Sequence, residues 1–223
     1  MSSAGPLALI GGDEWQEGCD FDAGLLEAAG TKDVLVLPTA AAYEGPSRVV
    51  DAARGWFNSL GASVTALNVL QRRDAEDKEN IAIVGDARFI YLSDGSPLHL
   101  RSVLKGSLLW EAIVSAWQNG AVVAGSSAGA MVLGDPMVDP RGGAFTLGLG
   151  LVEKLAVVPH RERWTGDKAR RMTQLMPKGI VVAEIEERTA LIRRSESDWG
   201  AEGPGAVTLT LDHEILEPSA LSR

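Results

Sequence analysis

Short apolar runs alternate with longer amphipathic segments through roughly the first half of the chain. The runs have the length and β-branched content of buried strands and cover residues 6–10, 33–38, 63–70, 87–92 and 121–124. The segments between them carry apolar residues at helical spacing and predict helices over 21–29, 49–60, 74–83 and 98–119, the last as one or two helices. Because strands buried on both faces are apolar throughout, this rhythm predicts an α/β fold, a three-layer sandwich around a mostly parallel sheet.

The pattern changes in the second half of the chain. Residues 135–143 are rich in Pro, Gly and Asp and are expected to form an exposed loop, and a basic helix is predicted over 167–176. Extended or strand segments, partly antiparallel, are predicted over residues 145–151, 155–158, 179–186, 190–193 and 206–211. No repeat or linker divides the sequence, so residues 1–223 are expected to form one domain with antiparallel strands in its C-terminal part.

One pentapeptide carries candidate chemistry. The apolar run 121–124 leads into Gly125-Ser-Ser-Ala-Gly129, a G-x-S-x-G pattern centred on Ser127 and followed by small apolar residues. A strand that turns sharply into a helix through such a pentapeptide is a nucleophile elbow, which exposes the serine oxygen at the edge of the sheet. The pentapeptide alone would also suit a flexible turn, but the flanking strand and helix favour the elbow.

A serine nucleophile needs a base, and the chain has three histidines. His213 stands between Asp212 and Glu214 and is expected on an exposed turn, and His99 is expected in the polar first turn of a helix. His160 follows the extended run 155–159, where a strand end can project a side chain into a site. His160 is therefore the best candidate by elimination.

The partner of the base is expected from a later strand end. The segment 183–189 offers Glu184, Glu186 and Glu187. Alternation along a strand places Glu184 and Glu186 on one face and Glu187 on the other with Ile185. A carboxylate on the face used for burial needs a special explanation, which favours Glu187 while leaving the other two open.

With these residues in place, the chain resembles the dipeptidase E and cyanophycinase family of serine peptidases. The resemblance follows the family's order over nearly the whole chain, through Gly11-Gly12, Pro38-Thr39, the turn at Gly95, 125–130, 148–151 before His160, and 185–190. It implies a class I glutamine amidotransferase-like fold and a triad of Ser127, His160 and Glu187. It also implies an oxyanion hole formed by the backbone amides of Gly95 and Ala128.

The sequence departs from the family pattern at two places. The family usually has Gly-Gly in the turn of the oxyanion hole, and here the first position is Asp94, whose charge could oppose an oxyanion or bind a cationic substrate group. The residues around His160 lack most of the cyanophycin-binding pattern, so that substrate is set aside. Arg161 is the preferred candidate for binding a substrate carboxylate, with Arg163 and Arg101 as alternatives.

The composition limits the partners, location and cofactors that the protein is expected to have. A net charge of −9 disfavours nucleic acid and anionic membranes as partners, and no apolar run approaches the ~20 residues of a membrane span. The lone Cys19 and the absence of a recognisable signal peptide at residues 1–6 predict a cytoplasmic location. No zinc-type Cys/His cluster is present, so neither a metal nor an organic cofactor is expected. The expected partner is a small peptide or amide, and a homodimer is left open.

The sequence is compatible with three functions. The leading one is a serine hydrolase of a peptide or amide bond. The second is a catalytically weak or inactive member of the same fold that binds or regulates, which Asp94 and the altered segment after His160 would support. The third, a glutamine amidotransferase subunit, is disfavoured because that chemistry uses a cysteine where this chain has Ser127.

Overall fold

The central sheet of the computed structural model has seven strands. The structure describes residues 4–141 and 143–222. Two parts of the sequence predictions lie outside these ranges: residues 1–3, where no signal peptide is predicted, and Gly142 of the predicted loop. The strands are β1 Leu7–Ile10, β2 Asp33–Leu37, β3 Ser63–Ala66, β4 Phe89–Leu92, β5 Val122–Ser126, β6 Gly134–Asp135, β7 Met137–Val138, β8 Phe145–Thr146, β9 Val152–Glu153, β10 Leu155–Val158, β11 Val181–Ile185, β12 Ala190–Ser195, β13 Asp198–Glu202, β14 Val207–Leu211 and β15 Glu214–Leu216. The helices are α1 Phe21–Ala29, α2 Pro46–Ser59, α3 Lys78–Asp86, α4 Pro97–Leu104, α5 Leu108–Gln118, α6 Ala128–Leu133 and α7 Gly166–Leu175, with 3-10 helices at Thr39–Ala41, Arg72–Glu76, Arg161–Arg163 and Pro218–Ser222.

The sheet is mostly parallel, as the sequence predicts. Its strands lie in the order β13-β12-β1-β5-β4-β2-β3. Strands β1 to β5 pair in parallel, and β12 and β13 continue the sheet antiparallel beyond β1. Alternate strand residues face opposite sides: Ala8 and Ile10 pack with α1 and α2, while Leu7 and Leu9 pack with the side that holds α4 to α6. Helices therefore cover both faces, and the three-layer sandwich is confirmed.

A second sheet was not predicted. It has six strands in the order β15-β14-β11-β10-β6-β9, with β10 and β11 parallel and β14 antiparallel to β11. Its buried residues Val157 and Val182 belong to the same apolar core as Leu9 and Val123 of the central sheet. The second sheet thus packs on the central sandwich through a shared core. Its strands connect α6 to β12, which joins the central sheet beside β1.

The prediction of an exposed loop over residues 135–143 is wrong in part. Asp135 ends β6, and Met137 and Val138 form β7 with both side chains fully buried. β7 pairs with β8, so this Pro- and Gly-rich segment forms part of a short hairpin. The predicted strand at 63–70 is also shorter, because pairing with β2 ends at Ala66.

Among residues 4–141 and 143–222, no helix is both long and apolar enough to cross a bilayer.

Candidate active site

Ser127 lies at the sharp junction between β5 and α6. Its backbone has φ 46° and ψ −103°, a sparsely populated conformation that costs free energy and is held by its surroundings. One of these constraints is a hydrogen bond of 2.9 Å from the Ser127 amide to the carbonyl of Ile10, at the end of β1. The structure therefore places Ser127 where the G-x-S-x-G pattern predicts a nucleophile elbow.

The two outer glycines of the pentapeptide are required by packing. A Cβ at Gly125 would lie 2.5 Å from the carbonyl carbon of Gly129, and a Cβ at Gly129 would collide with the carbonyl oxygen of Leu92 on β4. Helix α6 can start directly on top of β4 and β5 only because these side chains are missing. The same close approach aims the N-terminal amides of α6 at the region around Ser127.

His160 and Glu187 approach Ser127 from the second half of the chain. Nε2 of His160 lies 3.0 Å from Oγ of Ser127, and Nδ1 lies 2.7 Å from Oε1 of Glu187. His160 follows β10 in a left-handed conformation (φ 49°), and Glu187 lies in the turn between β11 and β12. The structure thus brings together the three residues that the sequence predicts as a triad.

The turn after β1 holds His160 and Glu187 in place. The carbonyl of Gly11 accepts a hydrogen bond of 2.8 Å from the His160 amide, and the carbonyl of Gly12 accepts one of 2.8 Å from the Arg188 amide. The imidazole ring rests directly on Gly12, where a Cβ would overlap the ring. The Gly11-Gly12 pair is therefore part of the site's geometry as well as a turn.

The alternative histidines and glutamates contact other groups. His99 Nε2 lies 3.0 Å from the carbonyl of Leu70, and His213 is exposed. Glu184 pairs with Arg161 at 2.7 Å, and Glu186 accepts a hydrogen bond of 2.9 Å from the Ala206 amide. None of these contacts involves Ser127.

Two of the three arginines predicted to bind substrate form ion pairs within the protein, whereas Nε of the third, Arg101, is buried without a hydrogen-bond partner among the described residues. Arg161, the preferred candidate, forms the ion pair with Glu184, and Arg163 pairs with Glu187. Arg161 therefore contacts a carboxylate of its own chain where a substrate carboxylate was expected.

The two predicted oxyanion-hole amides face a carboxylate of the protein itself. Oδ1 of Asp94 accepts hydrogen bonds of 2.6 Å from the Gly95 amide and 3.3 Å from the Ala128 amide, and Oδ2 lies 3.7 Å from Nε2 of His160. Burial disfavours the charged form of Asp94, but His160, Ser127 and the two amides outweigh it and lower the pKa of this carboxyl. The Asp94 carboxylate is held as an anion beside the serine.

The Asp94 carboxylate also affects the pKa of His160, the proposed base. The Asp94 carboxylate is the largest influence on His160 and raises the pKa of the imidazole, burial opposes it, and Glu187 raises the pKa further. Both carboxylates thus stabilise the imidazolium form of His160, the form that the ring takes once it has accepted the proton of Ser127.

Glu14 joins the site without having been predicted. Its Oε1 accepts a hydrogen bond of 3.1 Å from the Asp94 amide, and its Oε2 accepts one of 2.8 Å from Oγ of Ser126. Burial raises the pKa of Glu14, and the nearby charge of Asp94 raises it further. A signal for Glu14 was present in the sequence: it is a carboxylate just after Gly11-Gly12 at the carboxyl end of a parallel strand, where ligands bind.

One group of described residues has spacing that could hold a cation. Ligand atoms of His160, Glu162 and Glu187 all lie within 4.8 Å of one another. In this structure His160 and Arg163 already engage Glu187, and Glu162 accepts a hydrogen bond of 3.4 Å from the Glu187 amide. These donor groups therefore already have partners within the protein.

The chain is similar in sequence to known proteins. The model of peptidase family S51 matches residues 7–197. The chain is 26% identical to a cyanophycinase from Synechococcus elongatus, over 94% of this chain and 68% of that protein. It is 25% identical to a cyanophycinase from Geminocystis herdmanii (strain PCC 6308), over 91% of this chain and 79% of that protein.

Solved structures share the fold. The crystal structure of a peptidase from an acI-B1 Actinobacterium superposes with a TM-score of 0.84 at 32% identity, covering 96% of this chain and 97% of that one. A putative peptidase E protein from Listeria monocytogenes EGD-e superposes with a TM-score of 0.70 at 18% identity, covering 91% of this chain and 100% of that one, which shows similarity of fold alone.

Proposed function

The chain belongs to peptidase family S51, and from that premise we propose that it hydrolyses a peptide or amide bond through an acyl-enzyme formed on Ser127. The observation that carries the proposal is the hydrogen-bonded line from Glu187 through the His160 ring to Ser127, with contacts of 2.7 and 3.0 Å. A nucleophile, a base in contact with it and an acceptor that orients the base are the parts that acyl transfer needs.

The proposed chemistry has two steps. As Oγ of Ser127 attacks the scissile carbonyl, Nε2 of His160 takes the serine proton and then gives it to the departing amine. Water deacylates the enzyme by the same route in reverse. Glu187 accepts the Nδ1 proton in a hydrogen bond, which keeps Nε2 free to face the serine and stabilises the imidazolium. The amides of Gly95 and Ala128 are the proposed donors to the developing oxyanion.

The substrate we propose is a small peptide, in the manner of dipeptidase E. The site is built at the edge of the sheet from short turns, and the residues after His160 lack the pattern that the resemblance associates with cyanophycin. The lone Cys19 is buried as a free thiol, which supports the proposal of a cytoplasmic location.

Substitution of each triad member tests this function. Ser127→Ala, His160→Ala and Glu187→Gln should each lower kcat on the best dipeptide by at least about 10³-fold, and the double variant Ser127→Ala/His160→Ala should be no slower than the worse single variant. Ser102→Ala, an exposed serine on α4, is the matched control and should keep the wild-type rate. A Ser127→Ala protein that hydrolyses its best substrate near the wild-type rate would end the proposal.

A second candidate, a binding protein with little catalysis, is supported by one observation. The Asp94 carboxylate occupies the two amides that an oxyanion would need. A fluorophosphonate separates the two functions, because it forms a covalent bond only with an activated serine. Failure of the wild-type protein to react at Ser127 would favour the binding function.

A further inference from the structure

The amides of Gly95 and Ala128 cannot serve the resting carboxylate and a substrate at the same time. Both donate to the same oxygen of Asp94, 2.6 and 3.3 Å away, and the other oxygen faces His160 at 3.7 Å. A scissile carbonyl attacked by Ser127 must place its oxygen among these donors. Substrate entry therefore requires the Asp94 carboxylate to leave.

The structure gives that carboxylate a way out. The Asp94 side chain is 41% exposed, so that it can turn toward solvent. When the Asp94 carboxylate turns away, it loses two hydrogen bonds and the attraction of His160. A neutral substrate offers nothing in return, whereas a substrate with a positive charge beside the scissile carbonyl offers the displaced carboxylate a new partner.

The charges around the hole support a cationic partner. Among the residues that the structure describes, Asp94 has no lysine or arginine within 4.0 Å, and the nearby arginines Arg161 and Arg163 are paired with glutamates. The Asp94 carboxylate is therefore without a cationic partner from the described chain once it leaves the amides.

We propose that Asp94 closes the oxyanion hole of the resting enzyme and is the residue that selects substrates with a free N-terminal ammonium next to the scissile carbonyl. The ammonium of a dipeptide is one carbon away from that carbonyl, so it can hold the carboxylate at the mouth of the hole while the carbonyl oxygen takes its place inside. This inference rests on the proposed serine chemistry and makes Asp94 a specificity-determining residue.

The test uses two diphenyl phosphonates derived from alanine, one with a free α-ammonium and one N-acetylated. In the reaction a bond forms between Oγ of Ser127 and phosphorus, a P–O bond to phenoxide breaks, and phenol leaves with the serine proton. The phosphonyl oxygen must enter the oxyanion hole. Labelling rates are measured by mass spectrometry at a pH below the pKa of the probe's amine, so that the free-amine probe carries its positive charge.

The wild-type protein should react at least about tenfold faster with the free-amine probe, since one oxyanion-hole donor is worth about 10²–10³ in rate. In Asp94→Gly and in the closer isostere Asp94→Asn the two rates should become nearly equal, chiefly because the acetylated probe reacts faster. Asp13→Asn is the matched control, since Asp13 is a carboxylate of similar exposure (39%) near the same sheet edge that pairs with Arg188. It should keep the wild-type preference.

The outcomes separate the two proposals. If wild type shows no preference, or if Asp94→Gly keeps the wild-type preference, Asp94 is not the selecting residue although the serine chemistry stands. If neither probe labels any variant that retains Ser127, the proposed function itself fails and the Asp94 inference falls with it. Ser127→Ala must remain unlabelled throughout.

Discussion

Glu14 connects the two turns that surround the reactive serine. Its carboxylate accepts one hydrogen bond from the amide of Asp94, beside Gly95, and another from Ser126, the residue before the nucleophile. These turns follow β4 and β5, and the amides proposed to stabilise the oxyanion come from them. We propose that Glu14 is a positioning residue that fixes the distance between the two amides.

Replacement of Glu14 should change kcat more than KM. Glu14→Ala removes both acceptors, and loosening of a catalytic geometry by about 1 Å can cost about 10²-fold, so we expect kcat to fall at least about tenfold. Glu14→Gln can still accept from the Asp94 amide and donate to Ser126, and should recover most of the rate.

Steady-state kinetics and thermal unfolding of both variants check this role. Glu17→Ala, an exposed residue of the same loop, is the control and should behave as wild type. Equal losses in the Ala and Gln variants, or a fall in stability with kcat unchanged, would show that Glu14 only supports the fold.

At the scale of elements, the turn after β1 joins the nucleophile to its partners. Ile10 accepts a hydrogen bond from the Ser127 amide, and Gly11 and Gly12 accept from His160 and Arg188. The end of one central strand therefore holds three segments that lie far apart in sequence. Rearrangement of this turn should damage catalysis before it damages the fold.

Gly12→Ala tests that expectation. Gly12 has φ 108°, and an added Cβ would overlap the His160 ring, so the ring must move away from Ser127. We expect kcat to fall at least about 10²-fold, in line with a misplacement of about 1 Å. Gly24→Ala in α1 is the contrast: a Cβ there meets nothing within 4 Å, and it should raise stability by roughly 0.5–1 kcal/mol without changing the rate.

Unfolding curves and the rate of hydrolysis of one dipeptide, measured for both glycine variants and wild type, test this prediction. A Gly12→Ala protein with wild-type kcat would show that the His160 ring has room that the structure does not reveal.

The sequence predicts those elements whose pattern is local. Helix α1 is observed at the predicted residues 21–29, because its apolar spacing is regular and Gly30 ends it in a left-handed conformation. The hairpin of β7 and β8 is missed, because Pro, Gly and Asp around Met137 and Val138 dominate the composition of a segment that tertiary contacts bury. The second sheet is missed for a related reason. Strands β6, β10 and β11 pair although they lie far apart in sequence, and the pattern of apolar residues does not specify which strands pair.

For the site, the sequence anticipates which residues meet but not what fills the space between them. Ser127 and His160 can be found from the elbow pattern and by elimination, whereas Glu187 needed the resemblance to favour it clearly. That Asp94 would reach back to the amides of Gly95 and Ala128 depends on a side-chain rotation, and no residue pattern encodes it.

At the scale of the whole molecule, an acidic group is buried in the layer between α1 and α2. Asp22 is fully buried, and its Oδ2 accepts a hydrogen bond of 2.9 Å from Nε1 of Trp56. Burial raises the pKa of Asp22 to about 8, the Trp56 hydrogen bond partly offsets this, and the charge of Glu14 adds to it. The folded protein thus holds this proton over a range of pH in which the unfolded chain, with an ordinary pKa of about 3.9, has released it.

The sign of the effect on stability follows. Between about pH 4 and pH 8 the folded state binds one proton more at Asp22 than the unfolded state, so this group lowers the free energy of unfolding by about 1.4 kcal/mol per pH unit as pH rises. Asp22→Asn keeps an acceptor for Trp56 but removes the proton equilibrium. Relative to wild type, its free energy of unfolding should rise by on the order of 4 kcal/mol between pH 5 and pH 8.

Urea unfolding at several pH values measures this difference. Asp20→Asn, an exposed neighbour, is the control and should follow the wild-type pH dependence. Parallel pH profiles for wild type and Asp22→Asn would contradict a protonated, buried Asp22.

The position of the Asp94 carboxylate also bears on how each turnover ends. Hydrolysis of the acyl-enzyme leaves a carboxylic acid beside Ser127, and once ionised that acid would need the same two amides that Asp94 uses at rest. The product keeps the ammonium that pairs with Asp94, but its carbonyl group has become a carboxylate. Two carboxylates in one small site repel each other, so the return of Asp94 to the amides competes with the bound acid. We expect the acid product to inhibit wild type only weakly, with an inhibition constant above the KM of the matching dipeptide, and to inhibit Asp94→Gly more strongly. Equal product inhibition in the two proteins would contradict this, and weak inhibition in wild type alone would mean that the side chain that slows entry also speeds release.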